Sequence, residues 1–300
     1  MDKTPELKET FEYDVLICTF NGATYIDEQI SSILKQVIKP VKIIISDDGS
    51  TDQTIEKCKI CFDRHSYTRY QIIRGPQAGI ANNFIYGMKY STAEHLFFSD
   101  QDDVWLDDKV SCFADAFYQL DSKKPILLFS DAYVVDSHLN ILSKSFINYA
   151  GLNIDVLNDD SILLENCVQG ASSCINGKLR DLILESITYI ANNSICMHDW
   201  WVAIMARYYG ISKHIDKPLI YYRQHNCNQI GALRTSNCVW KIKYVFRAAK
   251  KIKNYVYQLN QAQKVFSRIK KLDGLYVYFD GNYDFSNLNF FKKIIYFVYR

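Results

Sequence analysis

YDVLICTFNGATYIDEQISSILKQVIKPVKIIISDDGS, residues 13–50, carries the pattern that decides the fold. Its opening run, Tyr13 to Thr19, is continuously apolar, as a strand buried on both faces must be. Asn21-Gly22 then turns the chain into a helical stretch from about Thr24 to Gln36. The unit repeats at once. Val41 to Ser46 (VKIIIS) is apolar and β-branched, ends in Asp47-Asp48-Gly49-Ser50, and leads into a helix for which Thr51 or Asp52 is the expected N-cap. Outward from this stretch, Tyr70 to Ile73, His95 to Ser99 (HLFFS) and Ile126 to Ser130 (ILLFS) read as further strands, with a helix from about Ile80 to Tyr90. Strands alternating with helices imply right-handed crossovers and a mostly parallel, Rossmann-like α/β sheet flanked by helices. Such a sheet binds ligands in the crevice at the carboxyl ends of its strands. The polar residues at those ends are Thr19 and Asn21, Asp47 and Asp48, Asp100 to Asp103, and Asp131.

Beyond about residue 135 the alternation weakens. A Ser/Asn/Asp-rich stretch to Asp160 reads as a loop over the crevice. Helices follow near Gly177 to Ile190 and Asp199 to Tyr209, then a short strand near Pro218 to Arg223. From Val239 the pattern turns helical and basic. That segment, 239–300, carries +10 and the rest of the chain −8, although the whole is only +2. An acidic body suits divalent-cation chemistry, and a basic, aromatic-rich tail suits an anionic surface. The chain has no apolar stretch near the roughly 20 residues of a membrane span, and no signal-peptide run, so a cytoplasmic location is expected. Nine scattered cysteines read as free thiols, with the Cys58-x-x-Cys61 pair structural or incidental.

The strongest local signal is Ser99-Asp100-Gln101-Asp102-Asp103-Val104-Trp105, directly after an apolar strand. Carboxylates this close repel one another unless a cation sits among them, and Mg²⁺ or Mn²⁺ prefers such hard oxygens while sharing its shell with phosphates. The plain alternative is an acidic turn in which Asp103 or Asp107 caps the next helix. At Asp47-Asp48-Gly49-Ser50, Gly49 permits a tight turn, and the carboxylates can accept hydrogen bonds from a pyrimidine N3–H or ribose hydroxyls. An ordinary Asp-Gly turn is the alternative there.

Thr19-Phe20-Asn21-Gly22, Asp47-Asp48-Gly49-Ser50 and Asp100-Gln101-Asp102, in this order and spacing, resemble family 2 glycosyltransferases of the GT-A fold. The resemblance spans about residues 13–230. The fuller strings FSDQDDVW, MHDWW and YYRQH are similar to the bacterial rhamnosyltransferase-like branch, which builds O-antigen and capsule polysaccharides. The resemblance implies a nucleotide-binding half (about 11–135), an acceptor-binding half (about 136–238) and a tail (239–300). It further implies that Thr19, Asn21, Asp47, Asp48 and Asn82 hold the donor nucleotide, that Asp100 meets the ribose, and that Asp102 binds the metal on the diphosphate while Asp103 steadies the motif. His225 is expected to complete the metal shell and Arg223 to meet the diphosphate. Gly170 is expected beside the donor sugar. Asp199 at His198-Asp199-Trp200-Trp201 matches the general base, with a helix N-cap as its alternative role. Trp200 is expected as an apolar wall on the acceptor side, against the alternative that both tryptophans are core. His198 departs from the commoner Glu at its position.

The expected reaction is a single inverting displacement, with L-rhamnose from a dTDP donor as the leading sugar, a UDP-hexose as the alternative, and a lipid-linked oligosaccharide as acceptor. The tail, which interleaves ten Lys and Arg with aromatic and aliphatic residues from Trp240 to Leu272, is expected to contact anionic lipid rather than nucleic acid. A solvated helical bundle is its rival reading. Phe290 to Tyr299 offers a second short anchor. A sugar-nucleotide pyrophosphorylase is disfavoured because CTFNGATYIDEQ lacks the phosphate-loop lysine, and a non-catalytic carbohydrate-binding protein because Asp48, Asp100, Asp102 and Asp199 occur together.

Overall fold

The structure, a computed structural model, describes residues 11–190, 195–224 and, within a helical stretch, positions 257, 260–262, 264–266 and 268. The opening strand β1 (Tyr13–Thr19) is buried along its whole length. It lies parallel to β2 (Lys42–Asp47) on one side and to β4 (His95–Ser99) on the other, while β3 (Tyr70–Arg74) extends the sheet from β2. The register sets Thr19 beside Asp47 and Asp47 beside Arg74. All these strands therefore end on one edge, as the crossover rule requires.

The remaining strands make the sheet mixed. The order is β3-β2-β1-β4-β8-β6-β9-β5, with β7 also paired to β6. β8 (Ser173–Asn176) runs antiparallel between β4 and β6 (Ile126–Val135), and β9 (Ile211–Arg223) runs parallel to β6. β5 (Val104–Trp105) closes antiparallel onto β9, and β7 (Ile141–Ser143) onto β6. The two expected halves thus share one sheet.

Alternation along β1 divides the core. Val15 and Ile17 face α1 (Ile26–Lys35), α2 (Thr54–Arg64) and α4 (Lys109–Phe117). Leu16 and Cys18 belong to the opposite cluster with α3 (Ile80–Met88), α6 (Gly177–Thr188) and α7 (His198–Tyr209). Cys58 and Cys61 are buried and unbridged, and burial pushes the Cys58 thiol up to about 12. That is the inert, structural role expected of them.

Several local expectations change. α2 begins at Thr54 with Gln53 as its cap residue, and Asp52 instead accepts from the backbone of Thr54 and Ala23 at 3.0 and 3.1 Å. The 136–160 stretch is structured: it holds β7, α5 (Phe146–Ala150), and the 3-10 turn Ile154–Asn158. Asp131 is withdrawn from the crevice, because its Oδ1 accepts from Phe146 and Ile147 at the start of α5. In the tail, Val265 and Phe266 are buried. Phe266 packs on Tyr208 and Tyr209 with ring centroids 4.6 and 5.8 Å apart. The face expected to meet lipid is, at these positions, turned onto α7, where apolar area is already available to cover it. The Phe290 to Tyr299 anchor lies outside the described residues.

One buried acid escaped the sequence reading, which took Asp14 as part of an apolar run. Its Oδ2 accepts from Ser91 Oγ and from the amides of Thr92 and Ala93 at 2.9, 2.8 and 3.1 Å, pinning the entry to β4. Asp14→Ala leaves those donors unsatisfied in the core, and we expect a loss of about 2–3 kcal/mol in urea unfolding. Nucleotide binding should be unchanged, because Asp14 lies at the far end of β1.

Candidate functional site

At the carboxyl edge of the sheet, a cleft of about 280 Å³ is lined by Thr19, Phe20, Asp48, Gln77, Gly79, Ile80 and Asn83. Its floor is a hydrogen-bonded loop. Asp47, almost fully buried, accepts from Thr19 Oγ1 at 2.8 Å, from the amides of Ser50 and Gly49 at 2.9 and 3.2 Å, and from Ser50 Oγ at 2.5 Å. Gly49 sits at φ +99°, the conformation that such a turn asks of glycine. Asn21 is also engaged in the loop: its Oδ1 accepts from the Thr51 amide at 2.8 Å and its own amide donates to Ser50 Oγ at 2.9 Å. In the structure the hydrogen bonds of Asp47 and Asn21 go to the loop itself. Both shape the loop, and Asp48 is the acid that reaches the cleft.

Asp48 in turn binds the opposite wall, accepting from the amides of Gln77 and Gly79 at 2.6 and 3.2 Å. Asn83, rather than Asn82, lines the cleft. Asn83 is buried and exchanges hydrogen bonds with Ser46, whereas Asn82 donates to the carbonyl of Ala78, just before the start of its helix. Two further residues went unassigned in the sequence. The Phe20 side chain is half exposed at the cleft, and the Gln101 side chain grips its backbone from both sides, accepting from the amide at 2.9 Å and donating to the carbonyl at 3.1 Å. A Cβ at position 22 would come within 2.1 Å of Gln101 Oε1, so any other residue there would push the Gln101 side chain out of that grip. The variable middle position of a D-x-D motif gives no signal for such a clamp.

The acidic loop after β4 carries unbalanced negative charge. Burial, then the charges of Asp102 and Asp199, push the Asp100 carboxyl up to about 7. Asp103 is buried and held well above the usual range, first by burial and then by Asp102 and Asp100, while its Oδ1 accepts from the Arg223 amide at 3.1 Å. It steadies the motif, as expected, and caps no helix. Arg223 is placed differently from the expectation. Its guanidinium, 2% exposed, donates to Glu28 at 2.5 Å and to the carbonyls of Asp102 and Ser137 at 2.8 and 2.6 Å, and it lies over the Tyr25 ring. Those contacts turn it inward under the D-x-D loop, so it pins that loop rather than presenting itself to a diphosphate.

Asp199 stands near this charge, in the first turn of α7, which begins one residue earlier than expected. Asp199 is therefore not its N-cap, and that place falls to Met197. Its carboxylate accepts from the amides of Trp200 and Gly170 at 2.7 and 3.2 Å, and burial pushes it up to about 6 against those hydrogen bonds. Gly170 must be glycine, because a Cβ would lie 2.5 Å from His198 Nε2. His198 itself is an aromatic packing residue, stacked on Phe84 at 3.9 Å and held neutral by burial, which lowers its pKa to about 3. Trp200 and Trp201 are both core: their indoles donate to the Ile162 carbonyl and to Ser186 Oγ at 2.6 and 2.9 Å. The acceptor-wall expectation for Trp200 fails because α7 is buried on that side. His225 lies outside the described residues.

Among the described residues, no three His, Cys, Asp or Glu side chains gather as a complete chelate. The Asp100–Asp102 pair nevertheless suits a divalent cation that takes its other ligands from phosphate and water. Its oxygens are hard, and part of the upward shift of Asp100, after burial, comes from the charges of Asp102 and Asp199, which a cation would offset.

The family model "Glycosyl transferase family 2" matches residues 14–123, from β1 through the acidic loop and α4. The dTDP-rhamnosyl transferase RfbG of Shigella flexneri is 30% identical over 246 residues, 76% of each chain. The fold is shared with S. aureus TarS residues 1–349, solved with UDP-GlcNAc (TM-score 0.53, 16% identity, 87% of this chain and 73% of that one). It is shared equally with the mannosyltransferase PcManGT of Pyrobaculum calidifontis, solved with GDP-Man and Mn²⁺ (TM-score 0.53, 15% identity, 88% and 76%). With the family match lying on the very strands that build the cleft, and a relative 30% identical over three quarters of both chains, this protein belongs to glycosyltransferase family 2.

Proposed function

We propose that the protein is a metal-dependent, inverting glycosyltransferase that moves a sugar from a nucleoside-diphosphate donor to a hydroxyl of a lipid-linked oligosaccharide, in the making of a surface polysaccharide such as O-antigen or capsule. The observation that carries this reading is the meeting of Asp199, a buried carboxylate with a pKa of about 6, with the acidic loop of Asp100 and Asp102. One group is suited to take a proton and the other to receive a charged leaving group.

In this reading the nucleoside lies in the cleft, its base against the exposed face of Phe20 and its polar edge near Asp48 and Thr19. Asp100 would meet the ribose and Asp102 would hold Mg²⁺ or Mn²⁺ on the diphosphate, with His225, outside the described residues, as a further ligand. That ion, when bound, supplies positive charge beside the departing phosphate. The acceptor oxygen forms its bond to the anomeric carbon from the face opposite the diphosphate. Its proton passes to Asp199, and the bond to phosphate breaks with its electron pair leaving on the nucleoside diphosphate. One displacement inverts the anomeric centre. L-Rhamnose from dTDP-rhamnose is the leading donor on the similarity to RfbG, with a UDP-hexose as the alternative. The basic tail outside the described residues, carrying most of the +10 charge, supports work at the inner, anionic face of a membrane. Among the described residues no helix is long and apolar enough to cross one.

A donor panel of dTDP-rhamnose, UDP-glucose, UDP-galactose and UDP-GlcNAc, offered with Mn²⁺ or Mg²⁺ and a lipid-linked acceptor, tests this through release of nucleoside diphosphate. Turnover with at least one donor is expected, and none with any would oppose the proposal. Asp199→Asn should lower kcat by about 10²–10⁴-fold while nucleotide affinity stays within about twofold. A variant that turns over normally removes Asp199 from the role of base. The pH profile follows from the same residue. Because its pKa is raised, Asp199 keeps its proton up to about pH 6, so kcat/KM should rise with pH through that value and then level off. A profile flat down to pH 4.5 would contradict the assignment.

A further inference from the structure

Lys109, the first residue of α4, is fully buried. Its Nζ lies 4.0 Å from the centroid of the Trp105 ring, with Phe97 and Phe113 at 5.7 and 5.9 Å. An ammonium in such a setting is expensive to desolvate, and a Met or Leu of similar size would fill the same aromatic pocket more favourably. What an apolar side chain would lack is a donor. Lys109 Nζ donates at 2.9 Å to the carbonyl of Ala171, in the 3-10 turn Gly170–Ser172.

That turn is the one that positions Asp199. The Gly170 amide donates to Asp199 Oδ2 at 3.2 Å, and the Gly170 carbonyl accepts from Ser173 Oγ at 2.7 Å, anchoring the turn to β8. At its other end Lys109 follows the acidic loop by way of β5; burial lowers its ammonium to about 7, and Asp103 and Asp100 work against that lowering. One side chain therefore joins the helix behind the D-x-D loop to the turn beneath Asp199, two parts of the chain more than 60 residues apart.

Resting on the function proposed above, we propose that Lys109 is a positioning residue for sugar transfer: its hydrogen bond to Ala171 fixes the Gly170 turn, and with it Asp199, relative to the D-x-D loop. It touches neither substrate nor metal. Its loss should let the base drift from the acceptor hydroxyl while the nucleotide cleft stays whole, and small misplacements of this kind are strongly felt in kcat.

The test compares the full-length chain with Lys109→Met and Asp199→Asn, using steady-state kinetics on the active donor together with thermal unfolding. Lys109→Met should lose about 10- to 100-fold in kcat with donor KM within twofold and no large fall in Tm. Wild-type kcat in Lys109→Met beside an inactive Asp199→Asn overturns the Lys109 assignment and leaves the transferase reading intact. Wild-type kcat in both overturns the role of Asp199 and the proposal with it. Parallel changes in kcat and KM with a lowered Tm would mark Lys109 as a general structural residue and also overturn it. If the Met variant does not fold, Lys109→Gln carries the same comparison. Its amide stops one methylene short of the Ala171 carbonyl, so reduced kcat at unchanged KM supports the proposal and full kcat refutes it.

Discussion

The burial of carboxylates at the carboxyl edge of the sheet governs the organisation of this protein. Burial raises Asp100 to about 7 and Asp199 to about 6 and holds Asp103 well above the usual range, and for Asp100 and Asp103 the neighbouring carboxylate charges add to it. Asp100 and Asp199 both hold protons more tightly in the folded chain than in an unfolded one. The stability they contribute is therefore complete at acid pH and lost as pH rises through those values, so that at neutral pH their ionisation works against folding. A site that opposes folding must be held by its surroundings. Among the described residues the buried Arg223 guanidinium lies below the loop and Lys109, lowered by burial to about 7, lies behind it, while Asp103, one residue beyond the motif, is tied to the Arg223 backbone.

The rest of the carboxyl edge follows from this requirement. Asp47 and Asn21 are consumed in making the first two loops rigid, Gln101 locks the acidic loop to the end of β1, and Asp48 braces the wall formed by Gln77 and Gly79. Rigid loops keep charged groups at fixed separations without water, which is the condition under which electrostatic stabilisation of a reacting centre is large. Phe20, Asp48 and Thr19 are left facing the cleft, where a nucleoside needs an aromatic face and a few acceptors.

Much of this was legible in the sequence, for identifiable reasons. β1 and β2 are apolar throughout because they are buried on both faces, and the acids at their ends stand out against that background. Asp199 stood out through the resemblance of His198-Asp199-Trp200-Trp201 to a family motif at the start of a helix, and it lies in the first turn of α7. The failures share a different cause. β8 is four residues long and lies antiparallel between strands distant in sequence, which no local period reveals. Arg223 was read as a phosphate ligand because its charge is visible in sequence but Glu28 and the Asp102 carbonyl, its long-range partners, are not. Trp200 was assigned to the acceptor side because nothing local announces that Ile162 offers its carbonyl to the indole. Val265 and Phe266 read as a lipid-facing stripe, since amphipathicity states that a face will be covered and not what will cover it.

The central claim, that the clustered carboxylates are arranged for a cation shared with a diphosphate, is most directly tested by calorimetric titration of a nucleoside diphosphate into the protein at pH 7.5, with Mn²⁺ present and with it removed by chelator. Binding should be at least about tenfold tighter with the metal, and Asp102→Asn should abolish that difference while leaving the metal-free affinity unchanged. Equal affinity with and without Mn²⁺ in the wild-type protein would contradict the account.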